Sequence, residues 1–361
     1  MWTRRANGSG RPRMPAAATV VVLLLGAFAR PGTAQEPPAD PAARLMGWLE
    51  ALASDDMRGR MTGTDDAARA ARWIAARLAE AGVAPAGDDG YFQTIPALRR
   101  RDARGRTRIE PRPADAPAGE GEAVAERNVV GVVEGADPEL ADEVIVVGAH
   151  YDHVGVRAPV EGDSIYNGAD DDASGVVAVL EAARALAAGP PPRRTVVFAL
   201  FTGEEVGGLG SGWYLDHPVR PLERTVAQLQ VEMIGRPDPA AGGAGRVWAT
   251  GYERSTMGDL LAARGIPVVA DPRPDQRFFF RSDNIRFALA GIPAHTLSSF
   301  NLHGDYHRPS DEVERVDADH FVRAVQVVVD AVRVLADADE TPAWKPGGRP
   351  QARRGGREGA P

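Results

Sequence analysis

The sequence predicts an α/β protein, a single globular domain built on a central, largely parallel mixed sheet flanked by helices. Two observations carry that expectation. Apolar runs such as Val144 to Val147, Thr195 to Thr202 and Ala227 to Met233 are nearly continuous rather than alternating, as strands covered on both faces are. Stretches with helical spacing of apolar residues separate them, and that alternation is the mark of a mostly parallel sheet. A chain of 361 residues that is 43% hydrophobic and 25% charged has ample material for one core.

Taken in order, the chain begins with an address. Arg4, Arg5, Arg11 and Arg13 precede an apolar segment from Ala16 to Ala29, and small residues follow to Ala34. Residues 1–34 therefore read as a secretory signal peptide, and the protein as exported, periplasmic or extracellular. The apolar run is shorter than the ~20 residues a span needs, so no membrane span remains after cleavage. Residues 35–41 form a flexible, proline-rich lead-in, and the main domain occupies 42–338. Ala42 to Leu52 and Asp65 to Ala81 have helical spacing, with Thr64 or Asp65 as cap of the second. Tyr91 to Ala97 is a short strand. Residues 99–122, rich in Arg, Pro, Gly and acids, read as a solvent-exposed hairpin or insertion rather than core. Strand character resumes at Asn128 to Val133.

From Val144 the alternation is regular. A helix from about Ser174 to Ala188 ends at Gly189 and three prolines, and another begins near Gly208. Arg246 to Thr250 and Ile292 to Ser298 are further strands. Gly258 to Arg264 is a helix, and Phe321 to Leu335 an amphipathic closing one. Residues 339–361 lack periodicity and read as a disordered Pro/Gly/Arg tail.

Charge and cysteine content narrow the function. A net charge of −8 argues against nucleic acid as a partner. With no cysteine, disulfides and thiolate metal sites are excluded, so any metal rests on His and carboxylates. Those residue types gather just past the strands. His150 and Asp152 follow the first run, with Asp170 in the loop that leaves it. Glu204 and Glu205 follow the second run, Glu232 ends the third, and His307 follows the last strand. In open α/β sheets that edge is where ligands bind. Two histidines and three carboxylates can hold a pair of divalent ions with one carboxylate bridging, a donor set suited to zinc.

Five stretches carry a resemblance: Gly148-Ala-His-Tyr-Asp-His-Val-Gly, Gly168-Ala-Asp-Asp-Asp-Ala-Ser-Gly, Thr202-Gly-Glu-Glu-Val-Gly, Val231-Glu-Met-Ile-Gly-Arg and Asp305-Tyr-His-Arg-Pro-Ser-Asp. In this order they resemble the M28 family of zinc peptidases, which includes secreted bacterial aminopeptidases. The resemblance implies the zinc-exopeptidase (phosphorylase/hydrolase-like) fold and two zinc ions. His150 and Glu232 would hold one, Glu205 and His307 the other, with Asp170 bridging. Asp152 would accept the imidazole N–H of His150 and so orient it. Glu204 would be the general base acting on a metal-bridging hydroxide, and Tyr306 would steady the developing oxyanion. The best-known aminopeptidases of the family carry Asp where Glu232 stands.

The activity so implied is that of an exported dizinc aminopeptidase acting on peptide or protein substrates with a free N-terminus. A carboxypeptidase or glutaminyl cyclase on the same scaffold is the alternative, with Arg277, Arg281 or Arg286 receiving an acidic group. A catalytically silent binding domain is disfavoured, because every ligand position and Glu204 are filled. Asp171 and Asp172 read as loop-shaping residues. His153, His217, His295 and His303 read as surface or packing residues, and His320 as the start of the closing helix. Ser174 lacks the Gly-x-Ser-x-Gly turn of a serine hydrolase.

Overall fold

Capping residues set where the first helices begin. In the computed structural model, which describes residues 1–2, 40–102, 107–112 and 121–351, α1 spans Pro41–Leu52 and α2 spans Asp65–Glu80. The Asp40 carboxylate accepts the Ala42 N–H at 3.2 Å, with Pro41 at the first helical position. Thr64 Oγ1 accepts the Ala67 N–H at 3.4 Å and caps α2. Next come β1 (Ala84–Pro85), β2 (Phe92–Arg101), β3 (Thr107–Pro111), β4 (Glu122–Val133) and β5 (Val144–His150). A hairpin of β6 (Gly155–Val160) and β7 (Asp163–Tyr166) precedes α3 (Gly175–Ala188), β8 (Thr195–Phe201), α4 (Leu209–Asp216) and β9 (Thr225–Val231). The remainder is β10 (Val247–Ala249), α5 (Met257–Ala263), β11 (Val268–Ala270), α6 (Asn284–Ala290), β12 (Ala294–Ser298) and α7 (Ala318–Asp337).

Four mutually parallel strands, β12, β9, β5 and β8 in spatial order, form the centre of a ten-stranded sheet. Antiparallel pairings extend it on both sides, through β4, β2 and β3 beyond β8 and through β10 beyond β12. Every residue of β5, β8 and β12 is buried. Their side chains alternate between two cores, as the period of two requires. Ile145, Val147 and Ala149 of β5 join α1, α2, α3 and α7 on one face. Val144 and Val146 join Tyr214 of α4 and Phe287 of α6 on the other. Because the four strands run the same way, their carboxyl ends lie along one edge of the sheet.

From residue 40 onward the described residues form one compact unit. Of the separate unit at Met1–Ala39 only Met1 and Trp2 are described, so the expected signal peptide (1–34) and nearly all of the lead-in (35–41) lie outside the described residues. Among the described residues no helix is long and apolar enough to cross a membrane.

Three expectations change. The described parts of 99–122 belong to the sheet: β2, β3 and β4 pair antiparallel, and Ile109 is buried with Ile95, Ala97 and Leu209. The hairpin β6–β7 carries no clean alternation in sequence and was not foreseen. The tail from 339 to 351 is packed, not free. Trp344 donates its indole N–H to the Gly291 carbonyl at 2.8 Å, bridges backbone with Ser255 and lies against the second core. Lys345 pairs with Asp259 at 2.7 Å. One large apolar ring is enough to dock a Pro/Gly-rich segment that has no periodicity to reveal it. Residues 352–361 are outside the described set.

Candidate metal centre

His150 is the last residue of β5, and the chain leaves it through Tyr151, Asp152 and His153, all buried. His150 Nδ1 lies 3.0 Å from the main-chain oxygen of Asp152. A carbonyl can only accept, so Nδ1 carries the proton and Nε2 is left as the donor atom facing the cleft. The Asp152 carboxylate, expected to orient that imidazole, is occupied elsewhere: its nearer oxygen is 3.7 Å from Nδ1. It accepts the N–H of Glu204 at 3.1 Å and of Glu205 at 3.3 Å, and the Thr62 hydroxyl at 2.8 Å. Asp152 therefore orients the imidazole with its backbone and the Glu204–Glu205 turn with its side chain.

The turn 169–174 buries three consecutive aspartates and gives each a different task. Asp172 is a staple. It accepts from Gly175 N at 3.1 Å, Met233 N at 3.0 Å and His150 N at 3.2 Å, tying the start of α3 to the ends of β9 and β5. Asp170 accepts from Gly235 N at 2.7 Å and pairs with His303 Nε2 at 2.9 Å. Asp171 alone reaches the other histidines and acids. Its Oδ1 is 3.3 Å from His150 Nε2, and its Oδ2 is 3.2 Å from His307 Nε2.

Two groups of donor atoms result, each with all atoms within 4.8 Å of one another: His150, Asp171 and Glu232, and His153, Asp171, Glu205 and His307. Asp171 is common to both. The residue shared by the two groups is thus Asp171 rather than the expected Asp170. In a run of three aspartates residue type cannot distinguish them, and the irregular backbone at Asp171 (φ −104, ψ 96) turns that carboxylate toward the strand ends. The structure also adds His153, expected as a surface or packing residue. Its Nδ1 is 3.0 Å from Glu205 Oε1, and the residue is fully buried. The available signal was its place in His150-Tyr-Asp-His153, on the same strand exit. His303, also expected to be surface or packing, pairs with Asp170 at the cavity wall. His295 and His320 are buried packing residues with hydroxyl partners Ser255 and Ser299.

The donor set fits divalent cations bound by imidazole and carboxylate. His150 Nε2, Asp171 Oδ2 and His307 Nε2 are buried without a hydrogen bond, although carboxylate or imidazole atoms lie 2.9–3.3 Å away. Atoms that converge without aligning on one another are arranged around a common point.

Electrostatics point the same way. Burial opposes protonation of His150, but contacts with Asp152, Asp171 and Glu232 outweigh it and hold its pKa well above the ordinary value. Burial likewise opposes protonation of His307, and Asp171 and Glu205 raise it to about 10. Glu205 is brought down to about 2 despite burial and Asp171, chiefly by its bonds to His153 and His307. Glu204 behaves oppositely. Burial, reinforced by Glu232 and Glu205 against the pull of His150, raises it well above the usual carboxylate range.

Glu204, Glu205, Glu232 and Asp171 form one wall of a cavity of about 280 Å³. Met233, Trp248, Phe278 and Phe300 make an apolar wall, with Arg281 also lining the space. Tyr306 stacks on His307, centroids 3.9 Å apart, and burial raises its pKa, so the phenol stays protonated. The expected residues thus meet in one place, with Asp170 displaced by one position.

Comparison with known proteins gives consistent matches. The model of peptidase family M28 matches residues 128–332. Aminopeptidase YwaD of Bacillus subtilis is 26% identical over 238 residues, covering 60% of this chain and 46% of that protein. The chain thus spans about half the length of this curated relative. BSAP, a zinc aminopeptidase from Bacillus subtilis, superposes with a TM-score of 0.60 at 16% identity, covering 83% of this chain and 96% of that one. Glutaminyl cyclase from Porphyromonas gingivalis superposes with a TM-score of 0.56 at 18% identity, covering 81% and 97%. At these identities the superpositions establish the shared fold.

Proposed function

Because the chain belongs to peptidase family M28, we propose that it is a zinc-dependent aminopeptidase that uses two divalent ions to release N-terminal residues from peptides. The observation that carries this is the pair of donor groups sharing Asp171 at the edge of an apolar-walled cavity. His150, Asp171 and Glu232 would hold one ion, and Asp171, Glu205 and His307, with His153 beside them, the other. When bound, such ions polarise a carbonyl and bring the pKa of water to ~7.

The chain's own groups do the rest. Glu204 lines the cavity but belongs to neither donor group, and its peptide N–H is held by Asp152. Its burial favours the protonated acid once a proton arrives, so it is suited to taking the proton of the attacking water and delivering it to the leaving amine. The neutral phenol of Tyr306 is available to donate to the developing oxyanion. The rings of Trp248, Phe278 and Phe300 would receive an apolar side chain and keep water from it. Free α-amine recognition falls to the carboxylates Glu204 and Glu232.

The test is hydrolysis of aminoacyl-p-nitroanilides and free dipeptides, with and without chelator, beside N-blocked and glutaminyl substrates. Chelator-sensitive cleavage that needs a free amine is expected. Cleavage only of N-blocked substrates, or ammonia release from glutaminyl peptides without cleavage, would replace the reading by carboxypeptidase or cyclase. Export through the segment 1–34 belongs to the same proposal. N-terminal sequencing of protein from the culture fluid or periplasm should begin near Gln35, and an intact Met1 on soluble cytoplasmic protein would refute it.

A further inference from the structure

Beneath the donor groups lies a side chain that neither the family match nor the reading above employs. Arg60 is fully buried. It sits in the loop between α1 and α2, where Arg58, Gly59 and Arg60 all have positive φ (49°, 66° and 49°). Such backbone is strained for a non-glycine residue and persists only where its surroundings enforce it. They do so here: a Cβ on Gly59 would stand 2.3 Å from the Tyr166 oxygen and 2.8 Å from Gly155 Cα. The strained loop is pinned against the hairpin β6–β7, and it delivers one guanidinium to the interior.

That guanidinium meets carbonyls, not carboxylates. Nε donates to Tyr151 O at 2.8 Å. Nη1 donates to Leu52 O at 2.9 Å and to Asn167 O at 2.6 Å, and Nη2 to Gly168 O at 3.0 Å. The acceptors lie on three separate segments. Tyr151 stands between His150 and Asp152 at the exit of β5. Asn167 and Gly168 lead directly into the turn that presents Asp171. Leu52 ends α1. Among the described residues no ion pair with Arg60 occurs, yet the charges of Asp171, Asp152, Asp172 and Asp311 all act on it. Burial lowers its pKa to about 10, which leaves it cationic at neutral pH. A buried, unpaired cation costs several kcal/mol. If stapling α1 were the whole task, neutral donors would serve; the placement joins the two backbones that carry His150 and Asp171.

We propose that Arg60 is a positioning residue of the metal centre: its planar fork clips the exit of β5 to residues 167–168, which lead into the aspartate turn, and so sets the spacing of His150 and Asp171. Those two donors stand 3.3 Å apart, and Arg60 bonds to the backbone on both sides of that gap, beside the staple that Asp172 makes to His150 N. The His150–Asp171–Glu232 group has three donors, one fewer than the other, and contains both His150 and Asp171, so it is the more sensitive to their spacing. This inference rests on the two-metal reading.

The experiment compares the wild type with Arg60→Lys and Arg60→Gln. Lysine keeps a charge without the fork, and glutamine keeps donors without the charge. Bound zinc is measured after equilibration against graded chelator, on protein whose fold is checked by circular dichroism. Supporting residues of this kind are worth 10–100-fold in metal affinity. In both variants one of the two ions should be lost at a chelator strength about 10–100-fold weaker than the wild type needs, with kcat falling and KM little changed. A role confined to the fold would lower the melting temperature and leave zinc affinity of the folded protein intact, and that result overturns the proposal. If the wild type itself takes up no zinc, the two-metal reading fails. If it binds two ions and both variants match it, only the Arg60 inference fails. Should the variants not fold, hydrogen exchange on the wild type decides. Adding zinc should slow exchange at 58–62 together with 150–153 and 167–172, and slowing confined to the latter two segments overturns the proposal.

Discussion

Replacing Asp171 with Asn, beside the same change at Asp170, tests the assignment on which the site depends. Asp171 supplies a carboxylate oxygen to both donor groups, while Asp170 supplies none and is engaged by Gly235 and His303. Removing one unit charge ~4 Å from a divalent ion at an effective dielectric near 20 forfeits about 8 kcal/mol of gross attraction. The amide oxygen and entering water recover much of this. If a quarter is lost outright, the net is ~2 kcal/mol, or ~30-fold weaker binding, and it applies to both ions because the residue is shared. Asp171→Asn should therefore lose both zinc ions together and, with them, hydrolysis. Asp170→Asn keeps an acceptor for the Gly235 N–H and should retain both ions, with stability lower by about 1–3 kcal/mol from the disturbed buried pair. Metal content by mass spectrometry after dialysis, with denaturant melts of the same samples, reads both quantities. Loss of metal from Asp170→Asn with full occupancy in Asp171→Asn would refute the reasoning and return the bridge to position 170.

Glu204→Gln should lower kcat by ~10²–10⁴ while zinc stoichiometry stays at the wild-type value, since Glu204 is in neither donor group; activity within tenfold of the wild type would remove it as the base. In the metal-free protein His150 and His307 have pKa values raised above the ordinary value, the latter to about 10. The stabilising protonation of each is complete below pH ~6.5; that of His307 fades only as pH rises through about 10, and that of His150 is shifted in the same direction, so at pH 7.5 zinc must displace protons. Calorimetric zinc titrations in buffers of different ionisation enthalpy should show that release, and buffer-independent heats would contradict it. Trp344→Ala should destabilise the fold by about 1–3 kcal/mol in denaturant melts, through the lost Gly291 bond and ring packing; an unchanged midpoint would mean the segment 339–351 is not docked in solution.

The inner strands β5, β8, β9 and β12 were legible because burial on both faces leaves an unmistakable composition. Val144–Val147 could hardly be other than an inner strand, and the amphipathic period of 321–335 marked the helix that spans Ala318–Asp337. Elements with short or mixed patterns were not legible. The hairpin 155–166 carries exposed Val156 and Val160 beside polar residues, and the packed segment around Trp344 reads locally as a loose tail. Boundaries erred where pairing extended a strand beyond its apolar run, as β2 does through Arg99 against β4 and through Arg101 against β3.

The sequence by itself determined the class of fold, the edge of the sheet at which chemistry gathers, and the kind of donors available, because these follow from residue type and from which residues end apolar runs. Tertiary structure alone decided which of Asp170, Asp171 and Asp172 faces the histidines, that His153 joins them, and that Arg60 reaches beneath them from residues nearly a hundred positions away from Tyr151. The physical reason is one of direction. Composition and spacing say how far along the chain a side chain sits, but a carboxylate's task depends on which way a single irregular turn points it. That is set by the Asp171 N–H donating to Asp311 and by Met233 and Gly235 donating to Asp172 and Asp170, partners remote in sequence and adjacent only once the chain has folded.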